Sequence, residues 1–135
     1  MLTKSVEYAL KSLILINQEG SMIGIGYISD NLSIPKNYTS KILQILVKKN
    51  YIISQRGPNG GFSKLEYNKT LKELIIDIDG DFKYDRCALG LSECSDENPC
   101  HLHDYFKCIK IKILTEFLNV TIDEICSNPN KILKL

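Results

Sequence analysis

Between Cys87 and His103 the 135-residue chain gathers three thiols, Cys87, Cys94 and Cys100, with six and then five residues between them, and an imidazole, His103, three positions after the last. The intervening residues are rich in the Gly, Ser, Asp, Asn and Pro of a loop. Three thiolates and a ring nitrogen are the donors that zinc and iron-sulfur centres use. Structural zinc sites usually contain a close Cys-x₂₋₄-Cys pair, which this loop lacks. Wider separations suit a cluster, whose irons lie further apart than the ligand sphere of one ion. A flexible loop could also bring two of the sulfurs together as a redox pair. His101 has no matching role and reads as a solvated side chain. Cys108 and Cys126 read as small apolar residues, the commonest fate of a free cysteine.

Five cysteines is an odd number, and clustered thiols in a reducing compartment favour metal or redox chemistry over structural disulfides. The N-terminal apolar run is broken by Lys4, Glu7 and Lys11, so no signal peptide is expected, and no apolar stretch nears the roughly 20 residues of a membrane span. A cytoplasmic protein with no membrane partner is the expectation. Net charge is only +1, which excludes a polyanion binder by bulk charge, but residues 33–69 hold seven basic side chains against the single acid Glu66. Such a local excess is a candidate footprint for phosphates.

The elements that must position these groups follow from spacing. Residues 3–18 predict an amphipathic helix capped by Thr3, with Val6, Leu10, Leu13, Ile14 and Ile16 inward and Gly20 as its stop. Residues 25–32 predict a short helix on Ile25, Ile28 and Leu32. After the turn Ser33-Ile34-Pro35, a third helix over 35–49 carries Tyr38, Ile42, Ile45 and Leu46 inward and Asn37, Ser40, Lys41, Gln44 and Lys48 outward. Two helices joined by a tight turn, the second polar and basic outside, make a helix-turn-helix. Strands at 51–55 and 62–65 flank Arg56-Gly57-Pro58-Asn59-Gly60-Gly61, predicting a β-hairpin wing. Thr70 caps a short helix over 71–78, and Leu102, Tyr105, Phe106, Ile109, Ile113, Leu114 and Phe117 predict a long amphipathic helix over 102–118. The Thr121-x-x-Glu124 signature predicts one more capped turn.

Helix, turn, Pro35-initiated helix, the Arg56-Gly57-Pro58-Asn59-Gly60-Gly61-Phe62 wing, a three-cysteine loop and a long helix together resemble the bacterial iron-sulfur-cluster winged-helix transcription regulators, the family of IscR and NsrR. The resemblance spans essentially the whole chain. It implies a mainly α fold with a small β-hairpin wing, divided into a winged helix-turn-helix at 1–80, a cluster-binding loop at 81–104, a dimerisation helix at 102–120 and a C-terminal tail at 121–135. It also implies a homodimer bound to a palindromic operator in double-stranded DNA, and a cluster ligated by Cys87, Cys94 and Cys100. For the fourth ligand the resemblance offers two residues. His103 stands where the iron-sulfur-assembly regulators place a histidine, which favours a 2Fe-2S cluster. Glu7 matches the position from which nitric-oxide sensors supply an aspartate from the partner subunit, which favours 4Fe-4S. His103 and 2Fe-2S are preferred here.

On this reading Asn37, Ser40, Lys41 and Gln44 face base edges in the major groove, Lys36 and Lys48 hold phosphates, and Arg56 with Gly57, Pro58 and Asn59 meets the minor groove. The expected function is a cluster-dependent regulator, in the first instance a repressor, sensing nitric oxide, redox state or iron-sulfur status. The alternatives are a cluster-free winged-helix regulator working through a partner protein, and an iron-sulfur electron-transfer protein. No Gly-rich cofactor loop or nucleophile-base set suggests an enzyme.

Overall fold

The computed structural model describes residues 1–128. Helix α1 (Lys4–Glu19) begins where the Thr3 hydroxyl accepts from the Val6 amide and ends where Gly20, at φ 61°, turns its N–H back to the Ile16 carbonyl. Its inward face of Val6, Ala9, Leu13 and Ile16 is the centre of the core. Around it pack α2 (Ile25–Leu32), α3 (Lys36–Lys48) and α4 (Leu71–Asp79). Among the described residues no helix is long and apolar enough to cross a membrane.

The α2–α3 turn is fixed from both sides. Ser33 adopts a left-handed conformation at φ 52°, the buried Ser29 hydroxyl donates to the Ile34 carbonyl at 2.6 Å, and the Ile34 side chain enters the core. Helix α3 therefore leaves the turn with one face committed. That face is Thr39, Ile42, Leu43 and Leu46. Tyr38, expected inward, is half exposed and packs edge-on against Tyr8 at 6.2 Å, and Ile45 is only half buried. Thr39 takes the inward place because its hydroxyl is satisfied locally by the Pro35 carbonyl at 3.1 Å, so burial leaves no orphaned polar atom.

Strands β1 (Ile52–Gln55) and β2 (Gly61–Lys64) form an antiparallel hairpin in the register Ile52↔Lys64 to Gln55↔Gly61. Ile23 adds a bridge to Phe62, exchanging two backbone hydrogen bonds of 3.0 and 2.8 Å. This contact requires a glycine at 61, where a Cβ would sit 2.4 Å from the Ile23 carbonyl oxygen. The wing is thereby pinned to the helical body.

Asp77 on α4 ties the wing and the end of α3 together. Its carboxylate accepts from the Tyr51 hydroxyl at 2.8 Å and from Lys69 at 3.0 Å, with the Lys49 ammonium at 3.6 Å. Burial alone would push this carboxyl up; the bonds from Lys69 and Tyr51 and the charge of Lys49 outweigh it and hold it below its ordinary value. Lys69 also lies over the Tyr51 ring, 4.3 Å from its centroid.

Helix α5 (His103–Thr115) is shorter than the spacing suggested. Past it the chain tightens into a single 3₁₀ turn at Phe117–Asn119, and the Asn119 side chain caps the carbonyls of Leu114 and Thr115. The reason is Leu118, which is fully buried and can reach the core only if the chain leaves the helix axis. The following segment docks by the Thr70↔Thr121 bridge, and α6 (Ile122–Cys126), with a reciprocal Thr121/Glu124 cap, buries Ile122 and Cys126 in the same core. Of the predicted tail, residues 129–135 lie outside the described residues.

Candidate metal centre and nucleic-acid interface

The loop between α4 and α5 brings its four predicted donors together as two pairs. Cys87 Sγ and Cys100 Sγ are 3.5 Å apart, and Cys94 Sγ and His103 Nδ1 are 3.8 Å apart. The thiols are free. These separations lie within about 0.3 Å of the edges of a tetrahedron built on metal–sulfur and metal–nitrogen bonds of about 2.3 and 2.0 Å, which are roughly 3.8 Å between two sulfurs and roughly 3.5 Å between sulfur and nitrogen. Among the described residues, no three His, Cys, Asp or Glu side chains converge on one ion-sized site. Three thiols and one imidazole gathered in one loop are donors that could hold zinc or an iron-sulfur centre.

Local backbone prepares the first pair. Cys87 is buried, its carbonyl closes a turn with the Gly90 amide at 2.9 Å, and Gly90 takes the left-handed conformation at φ 78° that the turn needs. Backbone N–H groups point at the sulfur as a result: those of Leu91 first, then Leu89 and Gly90, together with the Cys100 thiol, outweigh burial and hold the Cys87 thiol below its ordinary value. Such donors favour the thiolate, which is the ligating form.

The second pair is set by the start of α5. The His103 amide donates to the Cys100 carbonyl at 3.0 Å, and the ring is buried. Its Nε2 lies 2.7 Å from Asp96 Oδ1, and Lys107 Nζ reaches the same oxygen at 2.6 Å. Lys107 first, and His103 second, hold the Asp96 carboxyl below its ordinary value. The sequence reading missed both residues. Lys107 was within reach, four positions from His103 and so one helical turn away; nothing in the spacing marks Asp96.

The other residues considered as ligands lie elsewhere. Glu7, in the first turn of α1, is paired with Lys4 at 2.9 Å, and that bond lowers its carboxyl. His101 is exposed. Cys108 is exposed on α5, and Cys126 is buried in the core, where burial above all pushes its thiol up to about 11. A thiol so placed is inert at neutral pH.

Lys36, Asn37, Lys41, Gln44 and Lys48 project from α3 into solvent, with Ser40 half exposed beside them. Arg56, Gly57, Pro58 and Asn59 form the exposed tip of the hairpin. Of the seven basic residues in 33–69, Lys49, Lys64 and Lys69 are ion-paired to Asp77 or Asp123. Among the described residues Lys36, Lys41, Lys48 and Arg56 carry no ion pair, so the positive charge available to phosphates is on α3 and the hairpin tip. Several apolar side chains of α5 and the turn after it are uncovered within one chain: Tyr105 is 81% exposed, Ile109 54% and, in the 3₁₀ turn, Phe117 40%.

The family model named Rrf2 and described as an iron-dependent transcriptional regulator matches residues 2–128. The chain is 31% identical over 144 residues to the HTH-type transcriptional regulator NsrR of Bacillus licheniformis, covering 99% of this chain and 97% of that protein. Two solved structures share the fold. The global cysteine regulator CymR of B. subtilis superposes with a TM-score of 0.72 at 15% identity, covering 96% of this chain and 98% of that one. IscR of T. potens superposes with a TM-score of 0.65 at 13% identity, covering 100% and 93%.

Proposed function

This chain belongs to the Rrf2 family of transcriptional regulators, and we propose that within it the protein is a homodimeric DNA-binding repressor whose operator affinity depends on an iron-sulfur cluster, 2Fe-2S in preference to 4Fe-4S. The observation that carries this reading is the pairing of donors, Cys87 with Cys100 and Cys94 with His103, in the loop that joins the winged helix to α5. When bound, the cluster would supply iron that reacts with nitric oxide or oxidants and is lost when iron is scarce. What the chain itself does is hold three thiolates and one imidazole at the junction of two units. A nitrogen ligand leaves one iron more labile than four thiolates would, as a sensor requires. His103 is preferred to the partner subunit's Glu7 because its ring already stands beside Cys94, whereas the Glu7 carboxylate is engaged by Lys4.

Two copies are proposed to meet along α5. Burying Tyr105, Ile109 and Phe117 against their symmetry mates removes the exposed apolar stripe, and a two-fold axis there would present two α3 helices to a palindromic operator. Asn37, Ser40, Lys41 and Gln44 then face base edges, Lys36 and Lys48 take phosphates, and Arg56 with Gly57, Pro58 and Asn59 enters the adjacent minor groove. The Tyr51–Asp77–Lys69 network keeps α3 and the hairpin at one angle, so both can engage one duplex.

The DNA-binding part is tested by Arg56→Ala on the duplex upstream of the protein's own gene. Fluorescence anisotropy should show affinity weakened by roughly 1 to 3 kcal/mol if Arg56 reads the groove, or a salt dependence flattened by about one unit if it meets only phosphate. Binding unchanged in both respects would remove the wing from the interface.

A further inference from the structure

Resting on the cluster reading above, we propose that Asp96 is a positioning residue that fixes His103 as an Nδ1 ligand. The Asp96 carboxylate can only accept, and it lies 2.7 Å from Nε2 of His103. In the neutral ring the hydrogen therefore resides on Nε2, and the lone pair is on Nδ1. That atom faces Cys94 Sγ at 3.8 Å. The opposite tautomer would set the Nε2 lone pair against a carboxylate oxygen.

The arrangement is held from two elements. His103 is anchored in the first turn of α5, its amide on the Cys100 carbonyl at 3.0 Å, and its ring is only 8% exposed, which leaves it few other partners. Asp96 comes from the loop and would be free to swing, being 66% exposed at its side chain. Lys107, one turn further along α5, pins the same Oδ1 at 2.6 Å. Helix α5 thus supplies both the ring and the cation that keeps the carboxylate on that ring. A carboxylate behind a ligating imidazole sets its tautomer and orientation and makes the ligating nitrogen more basic. The histidine position of the centre is thus held by contacts within one chain.

The first test needs no cluster. In reduced, metal-free protein labelled with ¹⁵N-histidine, long-range ¹H–¹⁵N correlation should show His103 in the Nε2–H tautomer. Asp96→Ala should move it to a mixture, and Asp96→Asn, whose amide oxygen still accepts, should keep it; exposed His101 serves as the internal reference. An identical His103 pattern in wild type and Asp96→Ala overturns the proposal. The second test uses anaerobically reconstituted protein. Asp96→Ala should lose iron to a chelator roughly 10 to 100 times faster than wild type and show altered nitrogen hyperfine coupling in the reduced state, with Asp96→Asn in between. Unchanged iron loss and unchanged coupling overturn the positioning role. Wild-type protein that takes up no iron or sulfide overturns the cluster reading and the ligand role with it, while the tautomer measurement separately decides the Asp96–His103 contact.

Discussion

Protein carrying Cys100→Ser, purified without oxygen, is expected to hold only traces of iron and sulfide and to lack the visible absorption of a cluster, while its circular dichroism and thermal midpoint match those of the cluster-free wild type. Cys100 sits half buried in the loop, outside the core, and its sulfur touches Cys87. A serine hydroxyl is a hard donor that stays protonated at neutral pH, so it replaces neither the charge nor the softness of a thiolate. The companion change Cys126→Ala should leave iron content at the wild-type level, because that thiol is buried in the hydrophobic core and its acidity is suppressed by burial. Full iron in Cys100→Ser, or iron lost equally in Cys126→Ala, would mean that the loop does not hold the centre. A colourless, iron-free wild type would point instead to the cluster-free regulator.

Ile109→Glu should convert the proposed dimer to a monomer. The side chain is 54% exposed in the single chain and stands on the stripe with Tyr105 and Phe117, so the substitution costs one chain's fold little. Across a two-fold interface it would bury two carboxylates, and an uncompensated buried charge is unfavourable by about 3 to 5 kcal/mol, which raises the dimer Kd by roughly two to four orders of magnitude. Sedimentation velocity at micromolar concentration reads this directly. The exposed-face control Lys72→Glu, on α4, should remain a dimer. A dimer that survives Ile109→Glu would place the subunit contact elsewhere than α5.

Where local chemistry decides the structure, the sequence was legible. The Ser33-Ile34-Pro35 turn delimits α2 and α3, with Ile34 buried and Pro35 serving as the N-cap of α3 at ψ 134°, one position ahead of the first helical place expected for it. Gly57 and Gly61 sit at φ 110° and 142°, which is why the run after Arg56 reads as a hairpin. Thr70 caps α4 and the Thr121/Glu124 box closes, as their residue types and spacing predict, while the reciprocal bond from Glu73 at the Thr70 cap was not anticipated. Burial of Cys126 agrees with its reading as a small apolar residue.

Apart from that of Tyr38, the misreadings share a cause, which is that contacts distant in sequence decided them. Ranking by hydrophobicity put Tyr38 inside, but a threonine able to satisfy its own hydroxyl packs there with less volume. The end of α5 was set by where Leu118 had to go. Counting charges along 33–69 overstated the basic face, since Asp77 and Asp123 lie outside that segment. For the cysteine loop, spacing identified which donors were available, but the partnership of Cys94 with His103, and of His103 with Asp96, depends on how the loop closes onto the first turn of α5.

The loop joins α4, which Asp77 locks to the wing and to the end of α3, and leads into α5, which is proposed to carry the dimer contact. On the proposed function, a change at the four candidate ligands can alter the angle between two DNA-binding heads, provided the loop has two arrangements. The most direct test is an anaerobic titration of the duplex upstream of the protein's own gene with two preparations of the same wild-type chain, one with iron and sulfide confirmed and one stripped by chelator. Dissociation constants at least severalfold apart are expected if the cluster sets operator affinity. Equal constants for the two preparations would contradict that dependence.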